Sequence, residues 1–542
     1  MTRRSAQEAH GWRRPATIGP YRSISRLAVR AVLGLLALGL GGGCFGESGI
    51  TPPNNRILLP DGLVVDPDDG FVYVVNSNSD LRYNAGTIVA VNLPQAALVR
   101  SCARDPGQAQ CAAAASSDPN LANLASAPPM CTKTRFSISE DVPDNYCCVD
   151  LVDSNILNCY EAQFIYQEAT VQVGSFAGAV ALLSYQRNGV PMRRLFTAVR
   201  AEPSITFVDA TVSGATVSMR CTGDPAATTP PPPNAFCADN WRVRRPDGAT
   251  PGQLVLPEEP HTLWLDPTRR ALFVGHLTVT ANTQVQGGGV SSLDICNIEN
   301  GNPVAFAGLA HTPFLPATLA QAVAGLSGPD PQLPSSLVYA TAFYSSAVGG
   351  MVLGDPTAAT CDQDSATPRD LTLVPSDSFY APAFLPNGVE VRAILFSATP
   401  SPRAFVLNSN DSNTAANPAA ISVLDRTLLS DGKPSNQPLA LIQMCNGPTG
   451  MQMHNTGGND LIYVTCYDDG EVYVVDPVAL QVTAVIDVGP GPVSLVFPNH
   501  DPNTAYIASF ANSNLAVIDI DPTSPTYNRV TMRIGLPHPY GQ

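Results

Sequence analysis

Charge is scarce in this chain, and positive charge is scarcer than negative charge. Only 14% of the 542 residues are Asp, Glu, Lys or Arg, and the formal net charge is −15. Seven arginines lie in the first 43 residues, so the remainder holds 23 basic against 44 acidic groups, a net charge of −21. Such an acidic surface repels phosphate backbones, which argues against nucleic acid as a partner.

The familiar sequence motifs of enzymes are also missing. The chain contains no G-x-S-x-G elbow, no H-E-x-x-H pair, no phosphate-binding P-loop and no nucleotide-binding glycine fingerprint. The sequence therefore indicates no specific reaction class.

The apolar run near the N-terminus is too short to span a membrane. As a helix, AVLGLLALGL from Ala31 to Leu40 would be about 15 Å long, half of the roughly 30 Å of the hydrocarbon core. Seven arginines precede this run and three glycines follow it. The pattern predicts an exported protein whose residues 1–43 are a cleaved signal peptide. A twin-arginine export route and a start codon further downstream are the alternatives.

Small residues followed by Cys44 resemble the lipobox of bacterial lipoproteins, in which that Cys becomes the lipidated first residue. Gly41 stands where the family usually has Leu, and Leu40 lies one place further back. The resemblance implies membrane anchoring through several acyl chains, and Phe45 after the Cys favours the outer membrane. The alternative is ordinary cleavage nearby, which leaves Cys44 a free thiol or a disulfide partner.

Cysteine pairs with the spacing of redox, haem or zinc motifs are absent as well. No C-x-x-C or haem-attaching C-x-x-C-H occurs, and no two cysteines have the spacing that structural zinc sites favour. Of the 13 cysteines, setting Cys44 aside leaves 12, and an even number outside the cytoplasm predicts disulfides, here up to six. We expect adjacent Cys147 and Cys148 to bond different partners. The candidates are Cys102, Cys111, Cys131, Cys147, Cys148, Cys159, Cys221, Cys237, Cys296, Cys361, Cys445 and Cys466.

A short β-rich run with an aromatic head recurs seven times. In most copies an alternating run tipped with Asp or Asn follows after a polar gap. Paired strands repeated in this way, with no helices between them, predict a propeller. The heads are Tyr73, Phe196, Phe273, Tyr339, Phe405, Tyr463 and Tyr506. The following runs begin at Thr87, Ser204, Val290, Ala420, Glu471 and Leu515.

The last two repeats resemble a known family. VSLVFP, AYIAS and NSNLAVIDI, like LIYVTC and YDDGEVYVVDP, are similar to the YVTN-type β-propeller repeat. The resemblance implies an extracytoplasmic protein of seven blades, often of unassigned function. We therefore expect an all-β, seven-bladed β-propeller over residues 57–542, preceded by a tether at 44–56. Six or eight blades are the alternatives.

Two segments depart from the repeat pattern. Residues 95–165 contain six cysteines and follow blade 1. We expect them to form an insertion, cross-linked by disulfides, that covers one face of the propeller. Residues 221–251 contain a run of prolines, and a bond between Cys221 and Cys237 would close a loop of about 17 residues, worth roughly 3 kcal/mol. The alternatives are a cap that binds a partner and ordinary surface loops.

Three histidines are candidate metal ligands. His261 and His311 are expected just before the first strands of adjacent blades, and His276 three residues after an aromatic head. These positions share one rim of the channel, so the three imidazoles suit a transition metal such as Zn²⁺ or copper, with Glu258 and Glu259 beside them. Hydrogen-bonded loop histidines are the alternative. His454 is expected at the opposite rim.

Two acidic turns offer oxygen ligands for Ca²⁺ but lack the twelve-residue loop with its terminal Glu. Turn formation by Asp and Asn is the alternative explanation. The turns contain Asp66, Asp68 and Asp69, and Asn408, Asp411 and Asn413.

The sequence thus predicts a lipid-anchored, extracytoplasmic propeller that acts as a binding or scaffold protein at the cell envelope. Its ligand, a protein or a small molecule, is expected at the propeller face. The alternative is an envelope enzyme, a metal-dependent lyase, hydrolase or oxidoreductase, with its site at the channel mouth. A structural component of a surface layer is a third class.

Overall fold

The computed structural model describes most of the chain after residue 48. The described residues are 49–68, 70–117, 126–131, 147–223, 234–244, 256–277, 288–296, 298, 305–311, 322–333, 338–343, 347–361, 368–380, 390–398, 401–409, 418–455, 460–499 and 501–535. The predicted signal peptide and the candidate residues Cys44, Asp69, Asp411 and Asn413 lie outside them. Within the described residues, no helix is long and apolar enough to cross a membrane.

Seven antiparallel sheets follow one another along the chain, each with four main strands, named A to D in chain order. Blade 1 contains β1 (Pro60–Val65), β2 (Phe71–Asn76), β3 (Gly86–Asn92) and β6 (Val171–Val173), with β4 (Cys147–Val149) and β5 (Leu157–Cys159) inserted before β6. Blade 2 contains β7 (Ala177–Arg187), β8 (Val190–Val199), β9 (Ser204–Ser213), β10 (Thr216–Arg220) and β11 (Arg242–Arg244). Blade 3 contains β12 (Pro260–Asp266), β13 (Ala271–His276), β14 (Gly289–Asp294) and β15 (Ala305–His311). Blade 4 contains β16 (Val323–Ser327), β17 (Val338–Ala342), β18 (Ala347–Leu353) and β19 (Leu373–Tyr380).

The remaining three blades have the same plan. Blade 5 contains β20 (Glu390–Ser397), β21 (Arg403–Ser409), β22 (Ala420–Asp425) and β23 (Pro438–Gln443). Blade 6 contains β24 (Pro448–Asn455), β25 (Asp460–Cys466), β26 (Glu471–Asp476) and β27 (Gln481–Asp487). Blade 7 contains β28 (Pro492–Val496), β29 (Thr504–Ser509), β30 (Asn514–Asp519) and β31 (Arg529–Ile534). Short 3₁₀ turns lie at Glu161–Gln163, Gln167–Ala169, Asp239–Trp241 and Pro356–Ala359.

The sheets close into a ring around a central channel. Each strand A contacts the strand A of the next blade, and β28 of blade 7 contacts β1 of blade 1. Strands B are sandwiched between neighbouring sheets, so they are buried on both faces and read as continuous apolar runs. All seven aromatic heads lie in strands B and are at most 1% exposed. The predicted seven-bladed propeller is therefore confirmed.

The cysteine-rich insertion lies within blade 1, not after it. Residues 93–170 separate strands C and D of blade 1, and they include helices α1 (Leu93–Arg104) and α2 (Ala109–Ser117). Asn92 caps α1 by accepting a hydrogen bond from the backbone N–H of Gln95 at 2.9 Å. The expectation that the insertion follows blade 1 is corrected, because strand D was too short, at three residues, to be recognised as part of that blade.

The same insertion reaches the outer edge of blade 7. Strand β5 pairs in parallel with β31, and β4 pairs with β5, so the blade 7 sheet has six strands. We call residues 147–159 the clasp. Because it covers the edge of the last blade with chain from the first blade, the clasp adds main-chain hydrogen bonds to the packing that closes the ring.

All twelve candidate cysteines are paired, which confirms the predicted six disulfides. Cys147 and Cys148 bond different partners, as expected, and the predicted bond between Cys221 and Cys237 is present. The bonds are Cys102–Cys111, Cys131–Cys148, Cys147–Cys159, Cys221–Cys237, Cys296–Cys361 and Cys445–Cys466. Disulfides in this number are typical of proteins outside the cytoplasm.

Candidate functional site

A β-bulge lies at the start of strand A in every blade. The register of strand A against strand B shifts after its first one or two residues in all seven sheets. The bulged positions, ordered by blade, are Asp61, Gly178 with Ala179, His261, Ala324, Arg392, Thr449 and Val493. Since strands A line the channel, these residues form a ring at one mouth, which we call the bulge end. Bulges re-aim side chains and often lie beside functional sites.

Asp61 is a partly buried carboxylate at this mouth. Burial raises the pKa of Asp61 to about 6, and the positive charge of Arg200 only partly opposes that effect. A carboxyl group with such a pKa is half-protonated near pH 6. It can therefore donate or accept a proton close to neutral pH.

Arg200 and Glu259 lie beside each other on the neighbouring blades 2 and 3. An Nη atom of Arg200 is 3.7 Å from a carboxylate oxygen of Glu259, and both side chains are about 40% exposed. This distance exceeds that of a hydrogen bond, so the carboxylate screens the guanidinium only weakly.

His261 is held in its neutral form. Burial lowers the pKa of His261 to about 4, with further lowering by the positive charges of Arg200 and Arg392. The imidazole lies 5.7 Å from the ring of Phe343, centroid to centroid. At neutral pH His261 is thus an uncharged group that can accept a hydrogen bond or a proton.

Arg392 completes this side of the mouth from blade 5. Its guanidinium lies 4.4 Å above the ring of Phe343 and is 2.6 Å from a carboxylate oxygen of Glu390. We call Asp61, Arg200, Glu259, His261, Phe343 and Arg392 the mouth cluster. It combines two guanidinium groups, a neutral imidazole, an aromatic ring, a carboxyl group of raised pKa and the carboxylate of Glu259.

The three predicted metal ligands lie at the bulge end of one blade, but on different strands. His261 is on strand A and His276 on strand B, while His311 ends strand D instead of preceding the next strand A, which corrects its expected position. Register places the backbone of His311 two strands from that of His276, about 10 Å away. The side chain of His311 lies outside the described residues, and no three metal-binding side chains come together among those described. The metal site stays a prediction.

His276 is part of the blade interior. It is fully buried, with Nδ1 3.0 Å from the carbonyl oxygen of Glu258 and Nε2 hydrogen-bonded to the hydroxyl of Ser291. Both ring nitrogens therefore form hydrogen bonds that join strand B to the segment before strand A and to strand C. Burial lowers the pKa of His276 to about 4.

The residue at this strand-B position holds the segment before strand A in other blades too. Asn76 accepts from the N–H of Leu58 at 3.0 Å and donates to the carbonyl of Arg56 at 3.1 Å. In blade 6, Cys466 forms its disulfide with Cys445 of the equivalent segment. This position, three residues after the aromatic head, is a structural latch in these blades.

The described parts of the two acidic turns have partners within the protein. Asp66 accepts from the N–H of Asp68 at 2.9 Å, and the guanidinium of Arg193 bonds to both carboxylates. The amide of Asn408 donates to the hydroxyl of Ser422 at 3.0 Å. The contacts of Asp66 and Asp68 agree with the turn-forming alternative. Asn408 instead lies in strand β21 and bonds to strand C, which corrects its expected place in a turn.

Sequence reasoning missed Asp61, Arg200 and Arg392. One signal was available for Asp61, because it stands five residues before the turn residue Asp66, just as His261 stands five before Asp266. No comparable turn residue follows Arg392, and Arg200 comes from a loop of another blade.

Comparisons with known proteins find solved structures of low similarity to this chain. No family model matches the chain, and no curated protein matches it. The periplasmic gluconolactonase PpgL of Pseudomonas aeruginosa is 15% identical over 66% of this chain and 85% of its own, with a TM-score of 0.41. The dihydro-haem d1 dehydrogenase NirN, in complex with DHE, is 12% identical over 78% of this chain and 73% of its own, with a TM-score of 0.38. The propeller of Dos1 is 11% identical over 63% and 68%, with a TM-score of 0.37. The description of the fold rests on the seven sheets themselves.

Proposed function

We propose that this protein is an exported, lipid-anchored β-propeller of the cell envelope that binds a carboxylate-bearing ligand at the bulge end of its channel. The ligand is a small organic acid or an acidic group of a partner protein. One observation carries the proposal: the guanidinium groups of Arg200 and Arg392 converge near His261 at this mouth, close enough that their charges lower its pKa against the opposing charge of Glu259. Glu259 and Glu390 lie 3.7 and 2.6 Å from these two arginines, so a ligand carboxylate would take over their contacts.

Guanidinium groups suit this role because their planar fork matches a carboxylate. The ion pair of Arg200 with Glu259 is long, at 3.7 Å, so the guanidinium donors of Arg200 can turn to a ligand. Arg392 is held over Phe343, which fixes its position before a ligand arrives. The ring of Phe343 also offers apolar surface for the carbon skeleton of an organic acid.

The binding proposal is tested by calorimetry on the full-length protein in detergent. Lactate, succinate and benzoate serve as probes, and their amides as uncharged counterparts. We expect saturable binding of at least one acid but not of its amide, weakened at least tenfold by Arg200→Gln and by Arg392→Gln. Arg244→Gln is the matched control, because Arg244 is 44% exposed and pairs with Asp239 at 3.1 Å. It lies on β11, which borders strand C of blade 2 and does not line the channel. Equal loss in the control, or no binding of any acid, would refute the proposal.

An envelope enzyme is the second candidate, and a specific observation favours it. Asp61 and His261 have pKa values of about 6 and about 4, shifted in opposite directions from their ordinary values. Such a pair can supply a general acid and a general base. If the protein turns over a bound acid, Asp61→Asn and His261→Ala should abolish turnover while binding persists. If removal of a bound transition metal abolishes turnover, that result would support a metal-dependent enzyme.

The lipid anchor on Cys44 and the extracytoplasmic location form the other part of this proposal. Six disulfides support export, since they persist in oxidising compartments. The resemblance to YVTN-type propellers points the same way. Cys44→Ser should release the mature protein from the membrane fraction. A protein that stays in the membrane fraction after this substitution is not anchored through Cys44.

A further inference from the structure

Among the histidines whose side chains the structure describes, only His261 keeps its ring nitrogens available to a ligand. It is the bulged residue of blade 3 and is partly exposed. Neither ring nitrogen forms a hydrogen bond with the described residues, and neither is sealed from water. In contrast, His276 uses both ring nitrogens, and Nε2 of His454, at the other end of the channel, is buried. The imidazole of His261 can therefore bond directly to a molecule at the channel mouth.

This imidazole shares its surroundings with both arginines of the mouth cluster. Its ring and the guanidinium of Arg392 pack against the same aromatic ring, that of Phe343, at 5.7 and 4.4 Å from its centroid. Glu259, which lies 3.7 Å from Arg200, is only two residues before His261 in the chain. A ligand carboxylate that binds these guanidinium groups therefore brings the atoms next to it close to the imidazole.

The group next to that carboxylate must suit an uncharged imidazole. Burial and the two guanidinium charges keep the pKa of His261 low, so at neutral pH one ring nitrogen donates and the other accepts. A hydroxyl group both donates and accepts, so it can pair with either nitrogen. An ammonium group only donates, and the guanidinium charges, whose effect on His261 exceeds that of Glu259, would repel it. The mouth thus favours a hydroxyl beside the carboxylate.

We propose that the ligand at the bulge end is a hydroxy acid, whose carboxylate binds Arg200 and Arg392 while its hydroxyl is hydrogen-bonded to His261. This inference rests on the proposed binding of a carboxylate at the same mouth, and it names the class of acid. Phe343 contacts both the imidazole and one guanidinium, so it holds the two recognition groups in place before the ligand arrives. An unsubstituted acid would leave the imidazole without a partner, which is the source of the selectivity.

Matched pairs of acids test this inference on the full-length protein in detergent. Calorimetry at neutral pH compares glycolate with acetate, lactate with propionate, 3-hydroxybutyrate with butyrate, and lactate with alanine. We expect at least one hydroxy acid to bind about fivefold more tightly than its unsubstituted counterpart, the usual worth of one hydrogen bond, and alanine to bind more weakly than lactate. Equal affinities within every pair would overturn the hydroxy-acid assignment yet leave the carboxylate site standing. Failure of every acid to bind would refute both.

Substitution of His261 locates the selectivity. His261→Phe keeps an aromatic ring against Phe343 but removes both nitrogens, so the preference for the hydroxy acid should be lost. His261→Gln restores a donor and an acceptor and should keep part of that preference. Thr449→Val is the matched control, because Thr449 is the bulged residue of blade 6 at the same mouth and its hydroxyl already donates to the carbonyl of Pro492 at 3.1 Å. Loss of the preference in this control, or its survival in His261→Phe, would contradict the assignment.

Discussion

A carboxylate oxygen of Asp61 lies over the backbone of Gly178, so close that a Cβ on Gly178 would stand 2.6 Å from it. Both residues belong to bulges, in blades 1 and 2, at the same mouth of the channel. The glycine thus makes room for a carboxyl group that burial keeps away from water. Burial of an ionisable group lowers the stability of the protein, and such costly groups are characteristic of functional sites.

The cost of burying Asp61 predicts a pH-dependent effect of Asp61→Asn. The pKa of this carboxyl is 3.8 in the unfolded reference and about 6 in the protein. The folded state therefore binds the proton more tightly, and stability falls as the pH rises from about 4 to 6. Above pH 6 the loss approaches about 3 kcal/mol, at 1.36 kcal/mol per pKa unit. Asparagine cannot ionise, so the variant should be the more stable protein at pH 8 and lose that advantage near pH 4.

Urea unfolding at several pH values measures this difference directly. Asp370→Asn is the matched control, since Asp370 is an exposed carboxylate that accepts the N–H of Thr372 at 3.0 Å, and asparagine can keep that bond. The control should show no advantage that grows with pH. An advantage of Asp61→Asn that is the same at pH 4 and pH 8 would mean that burial does not shift this group.

The bulges also predict which glycines cannot be replaced. Gly62, Gly325 and Gly450 occupy the same place after the bulge in blades 1, 4 and 6. A Cβ on Gly62 would stand 2.4 Å from the carbonyl oxygen of Gly178, and one on Gly325 equally close to that of Arg392. On Gly450 the nearest atom would be 3.6 Å away, an ordinary contact.

Gly62→Ala and Gly325→Ala should therefore lower the free energy of unfolding by about 1–3 kcal/mol, the usual range for overpacking. Gly450→Ala should be neutral or slightly stabilising, because alanine has less conformational freedom to lose. Thermal unfolding of the three variants provides the comparison. If all three substitutions change the free energy of unfolding equally, the blades must be able to move apart to accommodate the added methyl group.

The strand pattern was predictable because each strand B and most strands C carry their own local signal. The aromatic heads and the acid-tipped runs fall on strands such as Phe71–Asn76 and Asn514–Asp519. Strand C of blade 4, Ala347–Leu353, lacks this signal, since Gly349 and Gly350 interrupt the alternation. The clasp was not predictable, because pairing between β5 and β31 joins segments some 370 residues apart.

The site was less predictable than the fold. Local spacing placed His261 and His276 at the correct end of the channel, yet it could not separate a residue on the channel wall from one buried in the blade. That distinction depends on contacts with other chain segments, such as the carbonyl of Glu258 for His276. Arg200 and Arg392 reach the same mouth from different blades, and no sequence spacing relates them.

The clasp predicts unequal roles for two disulfides of the same insertion. The bond between Cys147 and Cys159 joins β4 to β5, the strand that pairs with β31, so replacing both residues with Ser should loosen the edge of blade 7. Loss of this cross-link, whose residues are 12 apart, should cost about 3 kcal/mol in the chain-entropy model. Hydrogen exchange of Arg529–Ile534 should quicken, because that strand loses a paired neighbour.

Replacing Cys102 and Cys111 with Ser is the matched control for the clasp. This pair closes a loop of similar length, with a separation of 9, but it joins α1 to α2 and not to blade 7. The melting temperature should fall in both variants, whereas exchange of Arg529–Ile534 should change only in the first. The same exchange rates in the two variants would show that the clasp does not depend on its disulfide.

The structural latch predicts that asparagine can replace His276. In blade 5, Asn408 occupies the same position and donates to Ser422, which corresponds to Ser291 in blade 3. His276→Asn should therefore cost less than about 1.5 kcal/mol, since the bond to Ser291 can be remade. His276→Ala leaves a cavity and two buried groups without partners, so it should cost about 2–4 kcal/mol.

The pH dependence of His276→Asn separates this latch from a metal-binding role. The pKa of His276 is about 4 in the protein against 6.5 in the unfolded reference, so the wild-type protein loses stability as the pH falls from 6.5 to 4. Asparagine removes that dependence. The free energy of unfolding should therefore differ less between pH 7 and pH 4.5 in the variant than in wild type. If His276 instead ligates a transition metal, added Zn²⁺ should raise the melting temperature of wild type but not of His276→Asn, and that result would contradict the latch.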